Sequence, residues 1–259
     1  MNSLEKALGL LDVFTQAAPV WSAEDLMRYS GASPATCYRY IKTLHKAGLL
    51  ARVANGSYTL GPRVLELDRI ARQCDPVYIA GGPVIKRLAE RTRLSALLCI
   101  LYSGKVMCVR EALAPGAPPE LFSRGQSRPL FTGATAKAIL AWLPAHQLRG
   151  LHAKHGKAIA AAGLGADWDS FRKELRQIRQ DGYSLTVGEF NPGIAAIAAP
   201  LFNRSGDVLG SLAVATSAGR INLAKFRMLS KDVVAAAREA TDRIGSAQNL
   251  MDLPARAVG

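Results

Sequence analysis

Hydrophobic positions in the first quarter of the chain recur at three- and four-residue intervals. Leu4, Ala7, Leu8, Leu11 and Phe14 form one stripe, which predicts an amphipathic helix from Ser3 to about Phe14. A second helix begins at Ser22, where Ser-Ala-Glu-Asp sets a hydroxyl and two carboxylates against the positive helix end, and it stops by Gly31. A third begins after Ser33. Pro34 fixes φ for the first helical position and forces its predecessor out of the α region, making Ser33 the N-cap. On this helix Cys37, Tyr40, Ile41 and Leu44 fall on one face and must be buried. Ala35, Thr36, Tyr38, Arg39, Lys42 and Thr43 then point outward, and Gly48 supplies the left-handed stop. Two short extended runs, Leu49 to Val53 and Tyr58 to Leu60, flank Asn55-Gly56, a strong two-residue hairpin signal.

Beyond Gly61-Pro62 the pattern changes. Val64, Leu65, Leu67, Ile70 and Ala71 predict a connecting helix to about Gln73, and Asp75-Pro76 opens another through Arg91. Strands are expected from Ser95 to Leu101 and Val106 to Val109 around Ser103-Gly104-Lys105, and again at 183–187, 194–202 and 207–216. Helices are expected at 133–142, 168–181 and 222–245, so the larger part reads as α+β with a largely antiparallel sheet. The expected division is 1–61 for a helical domain with a hairpin, 62–75 for a linker helix, 76–250 for the α+β domain and 251–259 for a tail.

With 259 residues and 49% hydrophobic composition, the chain has the length and content for one large or two ordinary globular domains. No apolar run reaches about 18 residues, and Glu5 and Asp12 interrupt the N-terminal apolar stretch. The expectation is a protein of the cytoplasm without a membrane partner. Cys37, Cys74, Cys99 and Cys108 form no C-x-x-C pair, so neither a disulfide framework nor a zinc ribbon is indicated.

The net charge of +13 raises nucleic acid, anionic surfaces or acidic ligands as partners. Its distribution is informative. Residues 1–80 carry 9 basic and 7 acidic side chains, net +2, so +11 lies in the rest, dispersed along the larger domain. Between Leu26 and Leu65, however, stand Arg28, Arg39, Lys42, Lys46, Arg52 and Arg63 with no Asp or Glu. The Ser33 helix thus leaves its positive end unneutralised, where free N–H groups can accept a phosphate. Its small, hydroxylated and basic outer face suits entry into a DNA major groove. Arg52 and Tyr58 on the hairpin are placed to meet the neighbouring backbone or minor groove.

The chain resembles the IclR family of bacterial transcriptional regulators along nearly its whole length. LEKALGLLDVF is similar to the family's first helix, SGASPATCYRYIKTLHKAGLL to its turn and recognition helix, and NGSYTLGPRVLEL to its wing and exit into the linker. PLFTGATAKAILAWLP and GYSLTVGEFNPGIAAIAAPLFNRSGDVLGSLAVA are similar to the family's cavity-flanking segment and last three strands. The resemblance implies a winged helix-turn-helix joined by a linker helix to a GAF-like effector-binding domain, assembled as a dimer or tetramer. It implies operator contacts from Ser33, Ala35, Thr36, Arg39 and Lys42, to which the outward Tyr38 and the hairpin's Arg52 are added. It implies a small-molecule cavity lined by Ala134, Thr135, Thr186, Ile194, Ala196, Ala213 and Ala215. Where members that recognise small oxo acids offer a carboxylate, a cysteine and serines, this chain offers Thr186, Ala196, Ala213 and Ala215. Such a cavity satisfies a compact polar acid poorly, because a buried ligand oxygen without a partner is costly. An aromatic or longer carboxylic acid is expected instead, with Thr135 or Thr186 donating hydrogen bonds.

Other chemistry is thin. His146, His152 and His155 are read as solvated groups rather than a metal site, since no carboxylate stands at ligand spacing within that stretch. Cys99 and Cys108 are read as core residues, and Glu189 as a loop charge or cavity-rim residue. No nucleophile motif, P-loop or dinucleotide fingerprint occurs. No cofactor or catalytic residue is expected. The alternatives are a metabolite-converting enzyme and a protein-interaction adaptor using the same folds.

Overall fold

The first helix, α1 (Ser3–Gly9), starts from a reciprocal cap in which Asn2 accepts the Glu5 N–H and Glu5 accepts that of Asn2. The expected single helix to Phe14 is not continuous. At Leu10 it tightens into a 3₁₀ turn, Leu10–Val13, which swings Leu10 and Val13 inward. In α2 (Ala23–Ser30) the Ser22 hydroxyl caps the Asp25 N–H, and Gly31 ends the helix at φ 60°. In α3 (Pro34–Lys46) Cys37, Tyr40, Ile41 and Leu44 are buried against Leu10, Val13, Leu26 and Leu50. Each such fully buried aliphatic stabilises the unit by roughly 1.5–3 kcal/mol.

The end of α3 is fixed by backbone chemistry. Gly48 sits at φ 72°, its N–H bonds the His45 carbonyl, and the Leu49 N–H bonds that of Leu44. Strands β1 (Leu50–Arg52) and β2 (Tyr58–Leu60) follow, with Asn55 at φ 57° and Gly56 at φ 71° in the mirror-image turn that matches strand twist. Trp21 joins them through paired backbone bonds to Tyr58. Helix α4 (Arg63–Cys74) has no buried residue, and its Leu65, Leu67 and Ile70 are exposed, as are Leu4 and Leu8 of α1.

The structure, a computed structural model, describes residues 2–119 and 121–251 and divides between Cys74 and Asp75. The second unit opens with α5 (Pro76–Thr92), capped by Asp75, whose carboxylate accepts the Val77 and Tyr78 N–H groups. Then come β3 (Ser95–Tyr102), β4 (Lys105–Ala112), β5 (Ser127–Pro129), α6 (Ala134–Leu140), α7 (Ala145–Ala161) and α8 (Trp168–Asp181). The chain continues with β6 (Ser184–Val187), β7 (Ile194–Phe202), β8 (Val208–Ser217), α9 (Leu223–Met228) and α10 (Ser230–Met251). All pairings are antiparallel, in the order β5-β4-β3-β8-β7-β6.

Strand alternation sends side chains into two cores. Ala96, Leu98, Ile197, Leu212 and Val214 meet Val84, Leu88, Val233 and Ala240 of α5 and α10. Leu97, Cys99, Cys108, Ala198, Ala213 and Ala215 face the other way, toward Ala134, Ala138, Ile139, Phe171 and Leu175 of α6 and α8.

Three further elements depart from expectation. Helix α7 lies where none was expected: only Leu148 and Ile159 of it are buried, so the sequence carries almost no apolar period there. The edge strand β5 is too short to leave a pattern. The helix expected at 222–245 breaks at Leu229 into α9 and α10. Of the tail expected at 251–259, residues 252–259 lie outside the described residues.

Candidate functional site

In the first unit the burial stripe on α3 determines what is left outside. Ser33, Ala35, Tyr38, Arg39 and Lys42 are exposed, Thr36 is half-buried, and Arg52 is exposed on β1 opposite Tyr58. No side chain caps the α3 N-terminus: the Ser33 hydroxyl donates to Thr36 Oγ1 at 2.9 Å instead of accepting a backbone N–H. The first turn therefore offers N–H groups with the positive end of the helix dipole behind them.

The basic side chains nearby are not equivalent. Arg28 is ion-paired to Asp25, and Arg63 to Glu66 at 2.6 Å. The Asp25 carboxyl is held below its ordinary range by the Ser22 hydroxyl and by Arg28. Among the described residues no carboxylate pairs with Arg39, Lys42, Lys46 or Arg52. The uncompensated charge thus gathers on α3 and β1. Tyr38 stands on the same outer face, 49% exposed, while Tyr58 is half-buried where it bridges to Trp21.

In the second unit a cavity of about 30 Å3 lies between α6 and the sheet. Ala134, Thr135, Thr186, Ile194, Ala196 and Ala215 line it, brought together by strand parity and by the α6 N-terminus; Ala213 does not, being buried in the core beneath α6. The polar groups around the cavity are heavily used. Thr186 Oγ1 accepts the Ala134 N–H at 3.1 Å, and Glu189 Oε2 accepts that of Gly133 at 3.1 Å, so the β6–β7 segment caps α6. Glu189 Oε1 also meets Lys137 Nζ at 2.6 Å, and Lys137 donates further to the Ala162 carbonyl at 3.0 Å. With the Lys137 side chain only 10% exposed, this pairing neutralises a cation that would be expensive alone.

The residue that sequence reasoning missed is Arg128 on β5. Its guanidinium carbon lies 4.0 Å from the centroid of Phe122 and 4.3 Å from that of Phe190, so the fork packs against two rings. Burial lowers its pKa to about 10, against the opposing influence of the Cys99 and Cys108 thiols, so it remains charged at neutral pH. Arg128 lines the cavity and also a wider groove of about 940 Å3 beside α7. Nothing in the sequence pattern marked it, because β5 itself left no pattern.

Two further groups need correction or placement. His152 and His155 are half-buried rather than fully solvated: His152 stacks on Phe171 at 5.5 Å with Nε2 buried and unpartnered, and His155 lies 5.5 Å from Phe131, while His146 is exposed as expected. No metal-holding group of His, Cys, Asp and Glu occurs among the described residues. Cys99 and Cys108 are buried cross-strand neighbours, and burial together with Cys108 pushes the Cys99 thiol well up, leaving it protonated.

Comparison with known proteins fits this architecture. Residues 73–242 match the model of the IclR C-terminal domain of bacterial transcriptional regulators, and residues 3–54 match the IclR helix-turn-helix domain. The chain is 25% identical over 245 residues to the transcriptional regulator KipR of Bacillus subtilis, covering 94% of this chain and 97% of that one. XynR of Escherichia coli is 26% identical, with coverage of 88% and 92%. An IclR transcriptional regulator from Silicibacter sp. TM1040 has a solved structure with a TM-score of 0.77 at 28% identity, covering 94% and 96%. These relatives are transcriptional regulators, not enzymes. With residues 3–54 matching the helix-turn-helix domain and residues 73–242 the C-terminal domain, the chain belongs to the IclR family of bacterial transcriptional regulators.

Proposed function

We propose that the protein binds operator DNA through α3 and the wing as a dimer or tetramer, and that a small carboxylic or aromatic effector in the second unit sets its affinity. The observation that carries this is the recognition helix itself: Arg39 and Lys42 unpaired on the outer face, beside an uncapped helix start. Ser33, Ala35, Thr36, Tyr38, Arg39 and Lys42 meet the major groove, and Arg52 the flanking backbone. Residues 62–75 act as the linker between the reading unit, 1–61, and the effector unit, 76–250.

One winged unit reads only a few base pairs, so specificity against a genome calls for two half-sites and a self-associating chain. The exposed Leu4 and Leu8 of α1, with Leu65, Leu67 and Ile70 of α4, supply apolar surface for that association. The effector cavity is lined by Ala134, Thr135, Thr186, Ile194, Ala196 and Ala215, with Ala213 beneath. An effector that favours one arrangement of the assembly alters the spacing of paired recognition helices, a coupling of roughly 1–3 kcal/mol. Among the described residues no helix is long and apolar enough to cross a membrane, which accords with a regulator working on cytoplasmic DNA.

The test is binding of the full chain to fragments of its own genome at low ionic strength. Specific shifted fragments that are lost in Arg39→Ala support the reading. A folded protein that shifts none, or an Arg39→Ala variant with unchanged affinity, refutes it and leaves the adaptor alternative.

A further inference from the structure

Two cations stand beside the interior cavity, and the fold treats them differently. Lys137 is matched by Glu189 and by a carbonyl. Arg128 is matched by nothing charged: among the described residues no hydrogen bond or ion pair reaches its N–H groups, and its neighbours are two phenyl rings and two thiols. Contact with the two rings uses none of the guanidinium's five donors, and that fork can take a carboxylate in two parallel hydrogen bonds. The depressed pKa states the same imbalance, since burial disfavours the charge and no counter-ion restores it.

We infer that Arg128 is the anchor for the carboxylate of a monoanionic effector whose apolar body lies along Leu97, Ile194, Ala196 and Ala215. The inference rests on the cavity being the effector site and adds the group that selects the ligand's charge. The single negative charge follows from the count of free cations: with Lys137 held by Glu189, a second carboxylate entering the cavity meets no partner. The apolar body follows from those four walls. Thr186 contributes secondarily, because its oxygen is taken by the Ala134 N–H but its hydroxyl proton is free to donate. At about 30 Å3 the cavity holds on the order of one water, whereas ligand sites run to roughly 300 Å3 or more. Entry therefore requires the Phe190 ring, on the turn between β6 and β7 and 41% exposed, to leave the guanidinium face it covers.

The competing account is that Arg128 merely cements Phe122 to Phe190. The experiment that separates them uses the full chain, with calorimetric titration and thermal melting against benzoate, phenylacetate and hexanoate. The matched primary amides serve as uncharged controls, and adipate as a dicarboxylate. The expected result is that one or more monocarboxylates bind and raise the melting temperature while their amides and adipate do so less. In Arg128→Met the acid affinity then falls by about 10- to 100-fold, as loss of a charged hydrogen-bonded pair implies, and the acid–amide difference disappears. Arg128→Lys, which keeps charge without the fork, falls between. Acids and amides behaving alike, bound or unbound, overturn the proposal. So does an acid preference that survives undiminished in Arg128→Met, the outcome expected of ring cement alone. Operator binding by the unmodified chain without acid is measured in parallel; its absence strikes the regulator reading instead.

Discussion

The residues proposed to read DNA come from a single run of chain, Ser33 to Lys42, with Arg52 just beyond, and stand on an outer surface. The cavity of the second unit takes Arg128, Ala134, Thr186, Ile194 and Ala215 from β5, α6, β6, β7 and β8. Both places carry positive charge without a carboxylate partner, yet the consequences differ. On α3 water screens Arg39 and Lys42, so leaving them unpaired costs the fold little and keeps them available to phosphate. Around the cavity the surroundings are dry enough that each charge must be answered, by Glu189 for Lys137 and by stacked rings for Arg128. A surface site is built by omission, an interior one by compensation.

The contrast is broken most severely at the backbone. Gly61 lies so close to the end of α3 that a Cβ there would stand 2.1 Å from the Gly48 carbonyl oxygen. Gly61→Ala is expected to destabilise the first unit by upwards of about 3 kcal/mol, because a backbone atom cannot step aside as a side chain can. Two melting transitions, with only one lowered and operator binding lost, would show the two units responding separately; a single unshifted transition contradicts the close approach. Next comes Glu189→Gln, which preserves an acceptor for Gly133 but leaves Lys137 without its counter-charge. A loss of about 2 kcal/mol is expected in denaturant unfolding, less than for a fully buried pair because Glu189 is partly exposed. Lys137→Met added to Glu189→Gln should recover most of it.

Smaller effects sharpen the surface side. Arg39→Ala is expected to weaken operator binding roughly tenfold, about 1.4 kcal/mol, and, if its partner is a phosphate, to reduce the salt slope by about 1. An unfolding midpoint that moved with it would show that Arg39 serves the fold. The finest comparison is between two serines at helix starts. Ser22 caps the Asp25 N–H, whereas Ser33 caps nothing. Ser22→Ala should therefore destabilise by about 1 kcal/mol, and Ser33→Ala by only a few tenths. A larger stability change at Ser33 than at Ser22 would contradict a first turn of α3 left without a side-chain cap.

Much of this molecule is legible in its residues because its signals are local. Pro34 and Gly48 bracket α3, and Cys37, Tyr40, Ile41 and Leu44 dictate its buried face, so its outer face follows by subtraction. Asn55-Gly56 specifies the wing turn because only a residue tolerant of positive φ completes it. Helix α7 was not legible, since a helix lying on the surface with two buried side chains needs no apolar period. Of the histidines, His146 is exposed as read, whereas the partial burial of His152 and His155 was not legible, because it depends on Trp168, Phe171 and Phe131, which lie elsewhere in the sequence.

The sequence by itself determined the reading head, its wing, the antiparallel α+β body and the family, since periodicity, capping and turn chemistry act over a few residues. Only the tertiary structure decided which cations are answered. That Glu189 reaches Lys137 across the cavity rim, and that Phe122 and Phe190 both pack on Arg128, depends on strand register and the placement of loops between strands. Electrostatic compensation is a property of distance in space, and spacing along the chain does not encode it until the sheet has formed.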